Sequence, residues 1–314
     1  MKVLVPDAYK GALPVIEGVE IVVVPTREPV AEEHLDAEVL VAWGQPAGVL
    51  RDAAERLAEL RLVQGFQAGP DVVGGAGFDP RVPICSGVGL HDGPVAEHAL
   101  GLTLALLRNL PLALARQAER QWDGRLGGTL RPRAYDGRVT TLDGANVTIW
   151  GFGSIGSTLA PLLTALGARV TGVARSAGER NGYPVVDESS LDDVLADTDV
   201  LVMILPHSDA TSAALNADRL ARLRQGALLV NVGRGTTVDE DALVAALESG
   251  RLAGAALDVT AVEPLPADSP LWAAPNLILT PHTAGGRPRG ADRLLTSQIA
   301  ALRADRPLRN LIPR

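Results

Sequence analysis

The chain has 314 residues, 46% of them hydrophobic and 21% charged, which excludes wholesale disorder and suffices for two domains with cores of their own. Its formal net charge of −8 speaks against nucleic-acid binding as the main role, because neutralising phosphates needs a basic surface. A single cysteine, Cys85, excludes an intrachain disulfide.

Residues 1–10 carry Asp7 and too short an apolar run for a signal peptide. The apolar stretch 99–107 stops at Arg108, far short of a membrane span. A soluble cytoplasmic protein without a membrane or nucleic-acid partner is therefore expected, and no metal. In the first third, strands are expected at residues 2–5, 20–24, 38–41, 61–65 and 82–85, with a helix over 47–59. A long helix then starts at Asp92 with Pro94 in its first turn, and its apolar pattern runs from Val95 through Leu100, Leu104 and Leu107 toward Leu114. A polar, glycine-rich stretch follows at 121–144, with Gly124, Gly127, Gly128 and Gly137.

Six further strands alternate with helices, at 146–150, 169–174, 199–205, 227–232, 254–259 and 276–280. Gly167 and Gly226 stand where helices stop, and Ser190 (with Asp193), Asn216 and Asp239 where they start. Strands joined by helical crossovers predict an α/β fold with parallel sheets, here a dinucleotide-binding domain of two mononucleotide halves. A last helix covers 287–303.

Gly151-Phe152-Gly153-Ser154-Ile155-Gly156 follows the strand at 146–150 and opens a helix that contains Pro161. That context makes a GxGxxG credible. Gly151 allows the tight turn, Gly153 lets backbone approach a pyrophosphate, and Gly156 allows close helix–strand packing. The helix N-terminus, from Ser154 and Ile155 on, offers unpaired N–H groups to that anion. About 20 residues past the glycines an NAD site carries Asp or Glu for the ribose 2′-hydroxyl. This chain has Ala174-Arg175-Ser176 there. A guanidinium pairs with a 2′-phosphate that a carboxylate would repel, so Arg175 and Ser176 predict NADP(H) as the preferred cofactor, with NAD(H) second.

Three more segments lie at strand ends, where open α/β sheets bind ligands: Asn231-Val232-Gly233-Arg234-Gly235, Asp258 with Glu263-Pro264, and Thr280-Pro281-His282-Thr283-Ala284-Gly285. With these residues the chain resembles the D-isomer-specific 2-hydroxyacid dehydrogenase family over almost its whole length. The resemblance also includes Leu205-Pro206 with Thr211, Gln67-Ala68-Gly69-Pro70-Asp71 and Val95-Ala96-Glu97-His98. It implies a catalytic trio of Arg234, Glu263 and His282. His282 would protonate the carbonyl oxygen, since an imidazole exchanges protons near neutral pH. Glu263 would hold its second ring nitrogen. Arg234 would clamp the substrate carboxylate, and the N–H groups near Ala68 and Gly69 would complete that pocket. Leu205, Pro206, Thr211, Val232, Gly233, Asp258 and Gly285 would line the cofactor cleft, Asp258 near the nicotinamide ribose.

The resemblance further implies two Rossmann-like or flavodoxin-like domains. The dinucleotide domain, 94–285, would be inserted into a substrate domain of 1–93 plus 286–314, and the assembly would be a homodimer. The expected activity is hydride transfer between NADP(H) and a small 2-oxo acid, glyoxylate or hydroxypyruvate. A 3-phosphoglycerate dehydrogenase is the nearest alternative, but only Lys10 stands out in the first domain as a cation for the substrate phosphate. A dinucleotide-sensing corepressor on the same fold is an alternative of another class. His98 reads as part of its helix, His207 as solvent-facing or cofactor-facing, and the sequence by itself identifies no partner for His34 or His91. Trp43, Phe66 and Trp122 are candidates for setting pocket size.

Overall fold

A computed structural model describes residues 1–69, 71–126 and 138–313. Pro70 and, from the glycine-rich stretch, Gly127, Gly128 and Gly137 lie outside the described residues. The chain divides into two compact units, Met1–His91 with Gly286–Arg314, and Asp92–Gly285.

In the first unit β1 (Lys2–Pro6), β2 (Glu20–Val24), β3 (Val39–Ala42), β4 (Leu62–Gly65) and β5 (Ile84–Cys85) form a parallel sheet in the order β2-β1-β3-β4-β5. That is the flavodoxin-like winding, with its ligand crevice at the carboxyl ends of the strands. Successive strand side chains point to opposite faces. Leu4, Leu40, Val63 and Ile84 therefore pack with Leu50 and Ala53 of α1 (Ala47–Arg56), while Val3, Val5, Val39, Val41 and Leu62 pack with Leu294, Leu295 and Ile299 of the returning helix Ala291–Arg303. A single turn, α2 (Asp71–Gly74), follows β4. Both α1 and the returning helix are shorter than expected; Leu57 leaves the helical region at ψ 82°, and the returning helix starts after Gly290 at φ 78°.

Cys85 is fully buried, and burial pushes its thiol above the usual range. A native-state thiol reagent should therefore label it only as fast as the unit opens. Rapid stoichiometric labelling at neutral pH would show this core to be wrongly described.

The second unit runs α3 (Asp92–Leu107), α4 (Leu110–Ala118), β6 (Asn146–Trp150), α5 (Ser154–Ala165), β7 (Arg169–Val173), β8 (Gly178–Arg180), β9 (Tyr183–Val186), α6 (Leu191–Asp197), β10 (Val200–Met203), α7 (Ala217–Arg222), β11 (Ala227–Asn231), α8 (Glu240–Glu248), β12 (Leu252–Leu257) and β13 (Leu277–Leu279). The sheet order is β13-β12-β11-β10-β6-β7-β9-β8, parallel apart from β8 against β9. The order reverses between β6 and β10, which opens a crevice for a dinucleotide. Val147, Ile149, Val200 and Val202 pack under α3 and α5; Leu201, Met203 and Leu229 pack under α6, α7 and α8.

The single long helix expected from Asp92 toward Leu114 is two helices bent by 65°. Asn109 sits at φ 51°, and Pro111 follows in the first turn of α4. Proline lacks the N–H that would bond the Leu107 carbonyl and clashes with it, so the helix has to restart. Asn216 and Asp239 cap as expected, accepting from Arg219 N at 3.1 Å and Ala242 N at 3.0 Å. Ser190 makes no such bond; Asp187 caps instead, accepting from Ser189 N at 3.1 Å. The β8–β9 hairpin was not expected. Its turn is Asn181-Gly182, both at positive φ, which is the preferred pair for a two-residue hairpin. Among the described residues no single helix is long and apolar enough to cross a membrane.

Candidate active site

The glycine loop follows β6 in the middle of the sheet, and its three glycines answer to different constraints. Gly151 has φ 101°, and a Cβ there would lie 2.6 Å from the Ile204 carbonyl oxygen. A Cβ on Gly156 would lie 3.2 Å from Ile149. Both positions are constrained by the protein's own packing. A Cβ on Gly153 would meet nothing within 4 Å. Gly153 thus faces open space beside the N-terminus of α5, which suits a pyrophosphate cradled by the first-turn N–H groups of Ser154 and Ile155. The Ser154 hydroxyl donates to Asp92 Oδ1 at 3.1 Å.

Arg175 and Ser176 are exposed just past β7, on the strand next to the glycine loop. Arg180, which the sequence reading passed over, joins the two segments. Its guanidinium donates to the Phe152 carbonyl at 2.8 Å, to the Ser176 carbonyl at 3.1 Å and to Ser176 Oγ at 2.9 Å. The Phe152 ring is buried, lies 6.1 Å from Tyr183 between centroids, and fills the space that a Cβ on Gly172 would need. The Asn181-Gly182 turn was the available signal, because a hairpin there returns Arg180 toward the loop.

Next in the sheet, on the other side of β6, β10 leads into buried Leu205 and exposed Pro206. Thr211 Oγ1 donates to the Pro206 carbonyl at 2.7 Å and shapes this turn. His207 lies 2.9 Å from Thr236 Oγ1, tying the turn to the loop after β11. Gly233 packs against Leu205 so closely that a Cβ would stand 2.6 Å from its carbonyl oxygen, and Val232 is buried beside it.

Arg234, Glu263 and His282 follow β11, β12 and β13, three consecutive neighbours in the sheet. His282 Nδ1 donates to Glu263 Oε2 at 2.7 Å, while Glu263 Oε1 accepts from Thr260 N at 3.1 Å. Both side chains are exposed. The His282 backbone is held at φ 53° by a 2.7 Å bond from its N–H to the Asp258 carbonyl. Arg234 is half-buried, and its Nη1 donates to the Gly233 carbonyl at 2.9 Å. A Cβ on Gly235 would come within 1.9 Å of the Thr260 carbonyl carbon. The Arg234 loop therefore lies directly on the loop that carries Glu263. A cavity of about 670 Å³ within this unit borders Glu263 and His282, with Leu265, Trp272 and Leu279 in its wall.

Asp258 was expected near the nicotinamide ribose. Its carboxylate is buried and accepts from Thr280 Oγ1 at 2.5 Å, Thr283 N at 2.9 Å and Ala284 N at 2.9 Å. It organises the loop that presents His282 and ends at half-buried Gly285. His98, read from sequence only as a helix residue, reaches this network from α3, with Nε2 at 3.1 Å from Thr280 Oγ1 and 3.3 Å from Asp258 Oδ1. Ala68 and Gly69 belong to the other unit, past the end of β4. Among the described residues neither of their N–H groups has an acceptor.

These residues supply an anion cradle, a guanidinium and an imidazole with one nitrogen fixed by a carboxylate. Such a set can bind a dinucleotide and a carboxylate and move one proton. Residues 100–284 match the family model described as D-isomer specific 2-hydroxyacid dehydrogenase, NAD binding domain. A putative 2-hydroxyacid dehydrogenase of Haemophilus influenzae is 31% identical over 80% of this chain and 82% of its own. A D-3-phosphoglycerate dehydrogenase of Methanocaldococcus jannaschii is 29% identical over 90% of this chain, which spans 53% of that protein. The crystal structure of an NADPH-dependent glyoxylate/hydroxypyruvate reductase of Sinorhizobium meliloti, in complex with NADP and sulfate, superposes with a TM-score of 0.81 at 26% identity, covering 99% of this chain and 97% of that one. The chain belongs to the D-isomer-specific 2-hydroxyacid dehydrogenase family, oxidoreductases that act on CH–OH groups.

Proposed function

We propose that this protein transfers a hydride between NADP(H) and a small 2-oxo acid, glyoxylate or hydroxypyruvate, to give the D-2-hydroxy acid. The observation that carries the reading is the 2.7 Å bond from His282 Nδ1 to Glu263, on a strand end two places from Arg234 in the sheet. With Nδ1 committed to Glu263, Nε2 is the nitrogen that meets substrate. The open space at Gly153 and the α5 N-terminus fit a dinucleotide pyrophosphate.

When bound, the nicotinamide supplies the hydride that reduces the carbonyl carbon. The remaining work falls to the chain. Arg234 pairs with the substrate carboxylate through two parallel N–H bonds and so fixes the direction of the adjacent carbonyl. His282 donates the Nε2 proton to the carbonyl oxygen as charge builds on it. Glu263 keeps the ring in register and balances its positive charge before transfer. The second unit binds the dinucleotide in this reading, and the Ala68 and Gly69 N–H groups of the first are assigned to a substrate carboxylate.

Arg175 and Ser176, without a nearby carboxylate on that strand end, favour a 2′-phosphate. Arg180 holds Ser176 for it. Arg180→Gln should lower kcat/KM for NADPH by about 10-fold, the scale of a lost hydrogen bond to a charged group, and change that for NADH less. Equal losses with both cofactors would assign Arg180 to the fold alone. In the wild type, kcat/KM for NADPH should exceed that for NADH with glyoxylate and hydroxypyruvate alike; a clear NADH preference would refute the cofactor assignment. Similarity to 3-phosphoglycerate dehydrogenases makes that substrate the second reading. Leu104, Leu110, Leu112 and Leu114 leave an apolar stretch exposed along α3 and α4, which supports a homodimer. Sedimentation at micromolar concentration should show it, and a monomer would exclude it.

A further inference from the structure

Phe66 leads from β4 into Gln67-Ala68-Gly69 and is held from several sides within its own unit. Its N–H donates to the Ala42 carbonyl at 2.9 Å, and its buried ring meets Tyr9 edge-on at 5.0 Å. The Gln67 carbonyl accepts from Gly87 N at 2.7 Å. A Cβ on Gly87 would fall 2.1 Å from the Phe66 carbonyl oxygen, so backbone meets backbone there. That same oxygen lies 2.7 Å from Nε2 of His91, which is 5% exposed. A carbonyl oxygen only accepts, so the proton sits on Nε2. The imidazole is in turn stacked on Trp43, 5.6 Å between centroids and 16° between planes. Trp43 is itself fixed by Gln45, whose Oε1 accepts from Trp43 N at 2.6 Å and whose Nε2 donates to the Val41 carbonyl at 2.9 Å. His91 is also the last residue of its unit before the chain crosses at Asp92.

We propose that His91 is a positioning residue for substrate recognition: by donating Nε2–H to the Phe66 carbonyl it fixes the peptide leading into Gln67-Ala68-Gly69, and with it the direction in which the Ala68 and Gly69 N–H groups face a substrate carboxylate. The inference rests on the reading that those two N–H groups hold the carboxylate. A buried carbonyl left without its donor seeks another partner, so the segment would turn or loosen rather than stay in place. Trp43 sets the plane of the imidazole, and the bond to Phe66 sets the plane of the peptide.

Two substitutions separate the donor from the ring. His91→Phe keeps a flat ring on Trp43 but removes the N–H. His91→Gln keeps an amide N–H of similar reach but removes the ring. The Gly87 amide, bonded to Gln67, reports on the segment through hydrogen exchange whatever the catalytic activity. In His91→Phe, Gly87 exchange should accelerate about 10-fold and KM for the 2-oxo acid should rise by a similar factor. kcat should fall less than KM rises, and NADPH affinity by fluorescence titration should be unchanged. His91→Gln should restore exchange and KM toward wild type. If the phenylalanine variant does not fold, His91→Asn, polar but too short to reach the carbonyl, takes its place with the same expectations. Unchanged Gly87 exchange overturns the lock, and accelerated exchange with unchanged KM overturns its part in recognition. A wild type that reduces no 2-oxo acid overturns the proposed function instead, and exchange alone then decides the lock.

Discussion

His282→Asn is expected to lower kcat by about 10²- to 10⁴-fold, the usual worth of a positioned general acid, while NADPH binds as in the wild type. Asparagine is the informative replacement because residue 282 sits at φ 53°, a region that asparagine tolerates better than alanine does. The loop should then keep its shape, with the bonds from His282 N and Thr283 N to Asp258 intact, and only the proton donor is lost. Glu263→Gln should fall between the two enzymes. A glutamine still accepts the Nδ1 hydrogen bond, but it carries no charge to balance a protonated ring. Loss of NADPH binding together with turnover in His282→Asn would mean that the residue supports the loop rather than the chemistry.

The second large effect separates two glycines by what a methyl group would meet. Gly153→Ala puts its Cβ into space that the protein itself does not occupy. The melting temperature should therefore stay within about 2 °C of wild type, since exposed changes away from packed features rarely exceed about 0.5 kcal/mol. NADPH affinity should drop sharply, because that space is where backbone approaches the pyrophosphate. Gly235→Ala does the opposite. Its Cβ would sit 1.9 Å from the Thr260 carbonyl carbon, and backbone cannot swing aside as a side chain can. Overpacking costs about 1–3 kcal/mol or more, which predicts a melting temperature lower by about 4–10 °C. Turnover should also fall as the Glu263 loop is displaced. Thermal melts with and without NADPH distinguish the two variants. A destabilised Gly153→Ala with intact cofactor affinity would remove the main argument for the cradle.

The strand ends that carry Arg234, Glu263 and His282 were legible because each follows an apolar run in a regular series of crossovers, and topology alone places such ends at one edge of the sheet. The break between α3 and α4 was misread because the leucine spacing continues through Asn109, while the deciding residue is the backbone chemistry of Pro111. The β8–β9 hairpin went unseen because its strands are only three and four residues long, too short to show periodicity. Contacts distant in sequence were beyond reach. Nothing near His98 announces Thr280, 182 residues away, and nothing near His91 announces Phe66. Nothing near Asp258 announces that its oxygens accept from Thr283 N and Ala284 N in the loop that holds His282.

One proton donor and one carboxylate clamp, on strand ends two places apart in one sheet, are thus assigned to the reduction of a small 2-oxo acid. That assignment is tested by oxidation of NADPH by glyoxylate and hydroxypyruvate in the wild type, beside Arg234→Ala and His282→Asn. Steady turnover is expected in the wild type and its near-complete loss in both variants, with NADPH still bound. NADPH binding without turnover of any 2-oxo acid would contradict the assignment and point to a dinucleotide sensor on this fold.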